Sequence, residues 1–444
     1  MRTIRTILAF ALCTLSLSAW SQDDLRLSER SLTGTARFVG MSGAMSAIGG
    51  DPSSVLLNPA GLGLYRRSEV LLTFDGMFDA TRQAGTERTH ARNLFMIPHA
   101  SAVFSLPTFA PTEKGVQFHN IMLSYNRVQS YSREMYGTAT DGPSLGALLT
   151  TADVNWDIPF CTDSHYASNS LILRENGYVN EYALDWAMNI SNRWYVGAGL
   201  HVQSYLLSAD ATYLEIFPSM NAEGRYYSNT NQTTLLFSGA SFNLSLGMLY
   251  RPIPWFRFGL GMQTASVGRV NTYSTGSLRA QTDSLRVSNA PDLRPPSRAF
   301  HMPWRTTASV ALQVGAYGML AFQYDFAHQS GDNLHTLRAG LEVVPVLGLY
   351  INAGYAFESP FDKRQFVVPM DNTFDRQDTY FHQLRWTQYA SFAIGYRGTH
   401  MMVQAAYQYR WQRLNFYAHE NAMPYDMNTN THCIVITIGW HRYY

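Results

Sequence analysis

Beyond residue 67, apolar and polar residues alternate with a period of two along most of the chain. Tyr178, Tyr182, Leu184, Trp186, Met188 and Ile190 interleave with Glu181, Ala183, Asp185, Ala187 and Asn189. Leu320, Phe322, Tyr324 and Phe326 interleave with Ala321, Gln323 and Asp325. Met401, Val403, Ala405, Tyr407, Tyr409 and Trp411 interleave with Gln404, Gln408, Arg410 and Gln412. Successive side chains of a strand point to opposite faces, so each segment has one apolar and one polar face. A soluble β-sandwich also alternates, but its polar face is the outward one. Its inner face seldom carries repeated Gln, Asp and Arg. The pattern predicts an all-β fold, a transmembrane antiparallel β-barrel with an apolar exterior and a polar lumen. About fourteen strands can be placed on this basis.

Connection lengths alternate as well. Short links fall near Asn192-Arg193, Arg251–Pro254, Gly315-Ala316, Pro345–Leu347 and Gly398–His400. Long ones are expected over approximately 82–92, 136–177, 217–231, 269–302, 358–384 and 414–430. Short periplasmic turns and long extracellular loops are the outer-membrane pattern. The Ser330–Asn333 link is short where a long loop is due. An even strand count returns the C-terminus to the periplasm. The last strand, Thr431–Tyr444, sets Ile434, Ile436, Ile438, Trp440 and Tyr444 against Cys433, Val435, Thr437, Gly439 and His441. Its aromatic end resembles the signal read by the barrel assembly machinery, an expected partner. Within Thr140–Trp156, Leu145, Leu148 and Leu149 could form a short amphipathic helix in a loop.

The first 67 residues read differently. Met1–Ser21 has a positive start (Arg2, Arg5), an apolar run Ile7–Leu17 and small residues in Ala19-Trp20-Ser21, the form of a secretory signal. Residues 22–67 then read as a compact N-terminal plug, and 68–444 as the barrel. The plug contains Gly34, Ala36, Gly40, Gly43, Ala44, Ser46 and Ala47, small residues that allow close backbone packing. Gly49-Gly50-Asp51-Pro52 and Asn58-Pro59-Ala60-Gly61-Leu62 follow. Asp51 and Asn58 are N-cap residues, each before a Pro at the first helical position.

This N-terminal stretch, ahead of a barrel pattern, resembles the hatch of the FadL/TodX family of outer-membrane transport proteins. The Asn58-Pro59-Ala60 core is that family's signature. The resemblance implies an integral outer-membrane channel for passive uptake of hydrophobic small molecules such as long-chain fatty acids. Ligand would be captured by extracellular loops, pass a pocket beside the hatch and leave through the wall after a hatch shift. The family's opening lies at a kinked third strand. Here the second strand, Asn93–Ala102, contains Pro98. Proline cannot donate to the ladder and sits in strands only at edges or bulges. Pro98 is thus a candidate lateral gate, and hatch residues should lie behind any gap it leaves in lipid. A simple bulge near the periplasmic rim is the other reading.

Two further function classes stay open from sequence. Barrels of this fold also serve type IX protein secretion, with protein as cargo. His328-Gln329-Ser330-Gly331 resembles the His-x-Ser of the outer-membrane phospholipase. However, Gly331-Asp332 stands where that family has Asn-Gly, no orienting Asn is identifiable, and a polar hairpin tip at the end of the Leu320–Phe326 strand is the preferred reading. The expectation is a non-enzyme.

Composition adds limits. Charged residues are 15% and aromatics 14%. A soluble domain usually carries about 25% charge, whereas a membrane barrel needs aromatic girdles. Without Arg2 and Arg5 the chain has 31 basic and 32 acidic residues, a charge of −1. Nothing points to nucleic acid. The thirteen histidines show no metal-ligand spacing, and no residue pattern calls for a metal or cofactor. Cys161 and Cys433 could be paired or free. Gly197-Ala198-Gly199 and Gly259-Leu260-Gly261 lie in strands, where glycine marks close approach or bending.

Overall fold

A computed structural model describes residues 28–442 except 88, 109–113, 146–164, 221–223, 282–284, 290–296, 316, 330–331, 360–379 and 420–421. One antiparallel sheet closes on itself. Strand β1 (Ser68–Gln83) pairs with β2 (Thr89–Pro107) on one side and with β14 (Tyr425–Arg442) on the other. Closure pairs the first strand with the last, which is what lets a sheet cross lipid.

Three wall strands are interrupted. Val116–Ser130 and Arg133–Pro143 form β3, and both pair with β4 (His165–Ile190). After β5 (Trp194–Met220) and β6 (Tyr226–Ile253), the pieces Phe256–Gln263 and Val267–Gln281 form β7 against β6. Leu285–Asn289, Arg298–His301 and Trp304–Val314 form β8 against β7. Then follow β9 (Gly318–Gln329), β10 (Asp332–Val343), β11 (Leu349–Glu358), β12 (Phe381–Arg397) and β13 (Met401–Tyr417). Each interrupted strand counted once, the described residues form fourteen.

The facing follows the alternation. Leu184, Trp186, Phe322, Tyr407, Ile434 and Trp440 are exposed on the outside, while Glu181, Asp185, Gln323, Gln404 and Gln408 are buried inside. An apolar exterior around a polar-lined interior is the form in which a barrel spans the outer membrane, and this chain is such a barrel. Turns at one end are short. Ser191 and Asn192 have φ of 55° and 57°, the mirror-image turn that suits the twist of a two-stranded hairpin.

The other end departs from expectation. Part of the sequence read as long loops is strand, including 165–177, 226–231 and 269–281, and β4, β5 and β6 run to 26, 27 and 28 residues. Crossing takes only about 9–11 residues, so these hairpins project well past the membrane. The sequence marks the boundary by inverting its pattern. Above Gln203 the inner face becomes apolar at Tyr205, Leu207, Ala209, Ala211 and Tyr213, all buried. The outer face becomes polar at Ser208, Asp210 and Thr212. A polar exterior suits water, and the inward apolar residues join Leu171, Leu173, Leu235, Phe237, Val270, Phe300 and Phe416 in a core. The lumen is therefore polar at mid-barrel and apolar at the long-loop end. The Leu145 region of the expected loop helix falls mostly outside the described residues.

Candidate functional site

The described N-terminal residues lie inside the barrel as three short turns. They are α1 (Ala36–Gly40), α2 (Pro52–Val55) and a 3-10 turn over Pro59–Leu64. Each starts on a cap. Thr35 Oγ1 accepts from Phe38 N at 3.2 Å, Asp51 Oδ1 from Ser53 N at 2.9 Å and Asn58 Oδ1 from Ala60 N at 3.1 Å. The first two caps are linked. Thr35 Oγ1 donates to Asp51 Oδ2 at 2.7 Å, and Thr35 N donates to Ser53 Oγ at 2.8 Å. Gly49 and Gly50 have φ of 61° and 64°, a left-handed bend that non-glycine residues rarely adopt. Gly50 N then reaches Gly61 O at 3.1 Å. Asp51, Pro52, Asn58, Pro59, Ala60, Gly61 and Gly49 are buried, and Gly50 is half-buried.

Asn58 does more than cap. Its Nδ2 donates to Ser46 O and to Met248 O of β6, both at 3.2 Å. It fits because the wall is glycine there. A Cβ on Gly247 would strike Asn58 Oδ1 and come within 2.8 Å of Pro59 Cδ. One on Gly197 would lie 2.6 Å from the Pro59 carbonyl, and one on Gly261 would overlap the Leu57 carbonyl. Gly340 and Gly354 make the same allowance for Met41. The strand glycines are thus the bed on which the inner segment lies.

Ionic ties complete the attachment. Arg37 holds Glu342 of β10 through Nε–Oε2 at 2.6 Å and NH2–Oε1 at 2.8 Å, the two-point geometry that suits a guanidinium. Burial alone would lower the Arg37 pKa; the Glu342 carboxylate outweighs it and raises it. Arg338 bonds Asp325 at 2.7 Å and Ser42 O at 3.0 Å. Arg257 NH1 donates to Ile48 O at 2.8 Å. Arg30 lies 3.5 Å from Glu181. Glu181 and Asp185 flank His201, at 3.1 Å from Nδ1 and 3.3 Å from Nε2, and Ser245 Oγ is 3.1 Å from Nε2. Sequence reasoning placed Glu181 and Asp185 in the lumen but missed this cluster, whose members sit on three strands. Ser245, His201 and Glu181 stand in the order of an acyl-transfer triad. Each is at most 1% exposed, which suits an internal tie.

Pro98 is at a bulge. On β1 and β2, Thr73 pairs with His99 and Asp75 with Met96. Phe74 therefore faces two residues, Ile97 and Pro98, and the inward phase of β2 slips by one. The β2–β3 ladder runs from Pro107↔Phe118 up to His99↔Asn126 and stops. Thr89–Met96 pairs with β1 alone. Pro98 is nine residues from the short-turn end of β2, well inside the wall. On the far side of the break the carbonyls of Arg127 and Val128 accept from Thr33 Oγ1 at 2.7 Å and Ser31 N at 3.0 Å. The inner segment lies directly behind it.

A cavity of about 90 Å³ separates this segment from the wall. Leu32, Phe38, Leu56 and Leu57 line it from the segment, and Val128, Phe326 and Leu334 from the wall. Asn126 and Val128 of β3 bound it, while Tyr125 and Arg127 bound an apolar groove on the outside. Ser330 and Cys161 lie outside the described residues. His328 Nδ1 is 2.8 Å from Asn333 Oδ1, and Cys433 is a buried free thiol.

A closed fourteen-strand barrel with its N-terminal residues folded into the lumen defines a class of outer-membrane protein. Solved structures of that class match across nearly the whole chain, and the fold is that of the FadL/TodX-type hydrophobic-compound transporters. A Pseudomonas aeruginosa FadL homologue superposes with a TM-score of 0.55 at 11% identity, over 93% of this chain and 98% of its own. The Ralstonia pickettii toluene transporter TbuX gives 0.53 at 11% identity, over 93% and 100%. The Pseudomonas putida toluene transporter TodX gives 0.52 at 13% identity, over 93% and 99%. At the level of sequence, no family model and no curated protein matches the chain.

Proposed function

We propose that this protein is a non-enzymatic outer-membrane channel for passive uptake of hydrophobic small molecules, fatty-acid-like or aromatic. The N-terminal segment acts as its hatch, and ligand leaves sideways at Pro98. The observation that carries this reading is the shared stretch of β3. Residues 125–128 border the inner cavity with one face and the outer groove with the other, where the β2–β3 ladder is broken. A straight axial path would cross the buried polar layer of Glu181, Asp185 and His201, which is unfavourable for an apolar ligand. The wall exit leads directly into lipid. The cavity is smaller than the ~150 Å³ apolar cavity that admits benzene, so entry requires Leu32, Phe38 or their neighbours to yield. Hatch movement follows from that requirement.

Ser130 Oγ lies 3.3 Å from Met96 Sδ across the break. Met96→Cys and Ser130→Cys, joined by a short disulfide-containing crosslinker, therefore offer a reversible lock. In liposomes, the reduced protein should deliver a hydrophobic probe and the crosslinked protein should not. Equal delivery in both states would rule out the lateral route. Liberation of fatty acid from phospholipid by the purified protein would contradict the non-enzyme reading.

A further inference from the structure

The outer groove beside the break has a volume of about 990 Å³, in the upper range for a small-molecule site. Leu72, Phe74, Phe95, Ile97 and Ile436 give it an apolar lining. Two inward-facing residues also reach it, Asp75 and Met96. They are register partners on the long-loop side of the bulge, so the groove penetrates the wall there. Asp75 is 5% exposed, and among the described residues no donor lies within hydrogen-bonding distance of its Oδ1. The nearest guanidinium on that face, Arg410, is engaged by Asp79 at 3.5 Å and Thr431 at 2.8 Å. Cys433 supplies only a thiol, a weak donor. Buried acceptors are nearly always paired, and an unmade bond in such a place carries a desolvation penalty. A donor arriving with a ligand would relieve it.

We propose that Asp75 recognises apolar ligands bearing a hydroxyl, its free oxygen accepting the ligand O–H as the molecule passes through the wall. The inference rests on the lateral route and narrows its substrate class. The carboxyl oxygen offers bare hydrocarbons no hydrogen bond. Neutral molecules with one hydroxyl, such as alkylphenols and aliphatic alcohols, are the favoured class. Phe78 and Phe95, in edge-to-face contact at 5.9 Å, give an aromatic ring a surface to lie against.

The test compares 4-ethylphenol with ethylbenzene, which differ by the hydroxyl alone. Equilibrium binding to the folded, detergent-purified protein should favour the phenol by about tenfold, the scale of pairing a buried acceptor that is otherwise left unsatisfied. Asp75→Leu should abolish the preference, the phenol then binding no more tightly than ethylbenzene. Asp75→Asn, which retains an oxygen, should keep part of it. Equal binding of the two probes by the native protein, or an undiminished preference in Asp75→Leu, would overturn the proposal. Heat-modifiable mobility verifies that each variant is folded. The lateral route is judged separately by the Met96–Ser130 lock. If the locked protein still delivers both probes while Asp75→Leu loses the preference, the site stands and the route falls.

Discussion

Replacing Asn58 separates two roles that a single side chain performs. Asn58→Ala removes the cap on the Pro59 turn, about 1 kcal/mol. It also removes two Nδ2 donor bonds, to Ser46 O and Met248 O, each worth about 1 kcal/mol net and more where a buried carbonyl is left unpaired. The inner segment should lose about 2–4 kcal/mol of attachment, summed from those terms. At 1.4 kcal/mol per tenfold, its local opening should rise by about 30- to 700-fold. Asn58→Asp is the discriminating variant. Aspartate caps as well as asparagine, so a residue that only capped would accept it without loss. Here it would set a carboxylate against two carbonyl oxygens in a fully buried site, which is costly without a donor. The expectation is that Asn58→Asp loosens the segment at least as much as Asn58→Ala. Hydrogen exchange over residues 31–65 measures this, with heat-modifiable mobility reporting that the wall is intact. If amides of Asn58→Asp exchange as slowly as those of the native protein, the tie to β6 contributes nothing and the reasoning is wrong. Under the proposed function, Asn58→Ala with Pro59→Gly should also impair uptake of hydrophobic ligand.

Other consequences are testable in the same way. Arg37→Met leaves Glu342 buried without its guanidinium and should cost about 3–5 kcal/mol; adding Glu342→Leu should recover most of it, read by denaturant titration of exchange in the segment. Gly247→Ala should displace the Asn58 turn and raise the leak of small solutes through the barrel, measured by single-channel conductance. Trp186→Leu and Phe322→Leu should fold normally. Arg at either position should cost about 2–4 kcal/mol at mid-depth, and equal folding yields for Leu and Arg would contradict the facing of β4 and β9.

Much of this protein was legible in its sequence because the governing rules are local. Period-two alternation, cap-proline starts at Asp51 and Asn58, and short polar turns each depend on neighbours within a few residues. They gave a fourteen-strand barrel, its facing, and an N-terminal segment of short turns. The projecting hairpins were readable too, but their signal is an inverted alternation after Gln203, with apolar residues inside and polar ones outside. Strand glycines 197 and 261 could be recognised as points of close approach, though not what approaches them. That depended on where residues 57–60 come to rest, which no local rule specifies. The same holds for Arg37 with Glu342, 305 residues apart, and for Glu181, His201 and Ser245 meeting from three strands. Pro98 announced a defect, but only the register of β1, β2 and β3 determined that the ladder ends there, beside Asp75. Alternation and capping are written residue by residue along the chain, whereas closure of the barrel sets which distant faces meet.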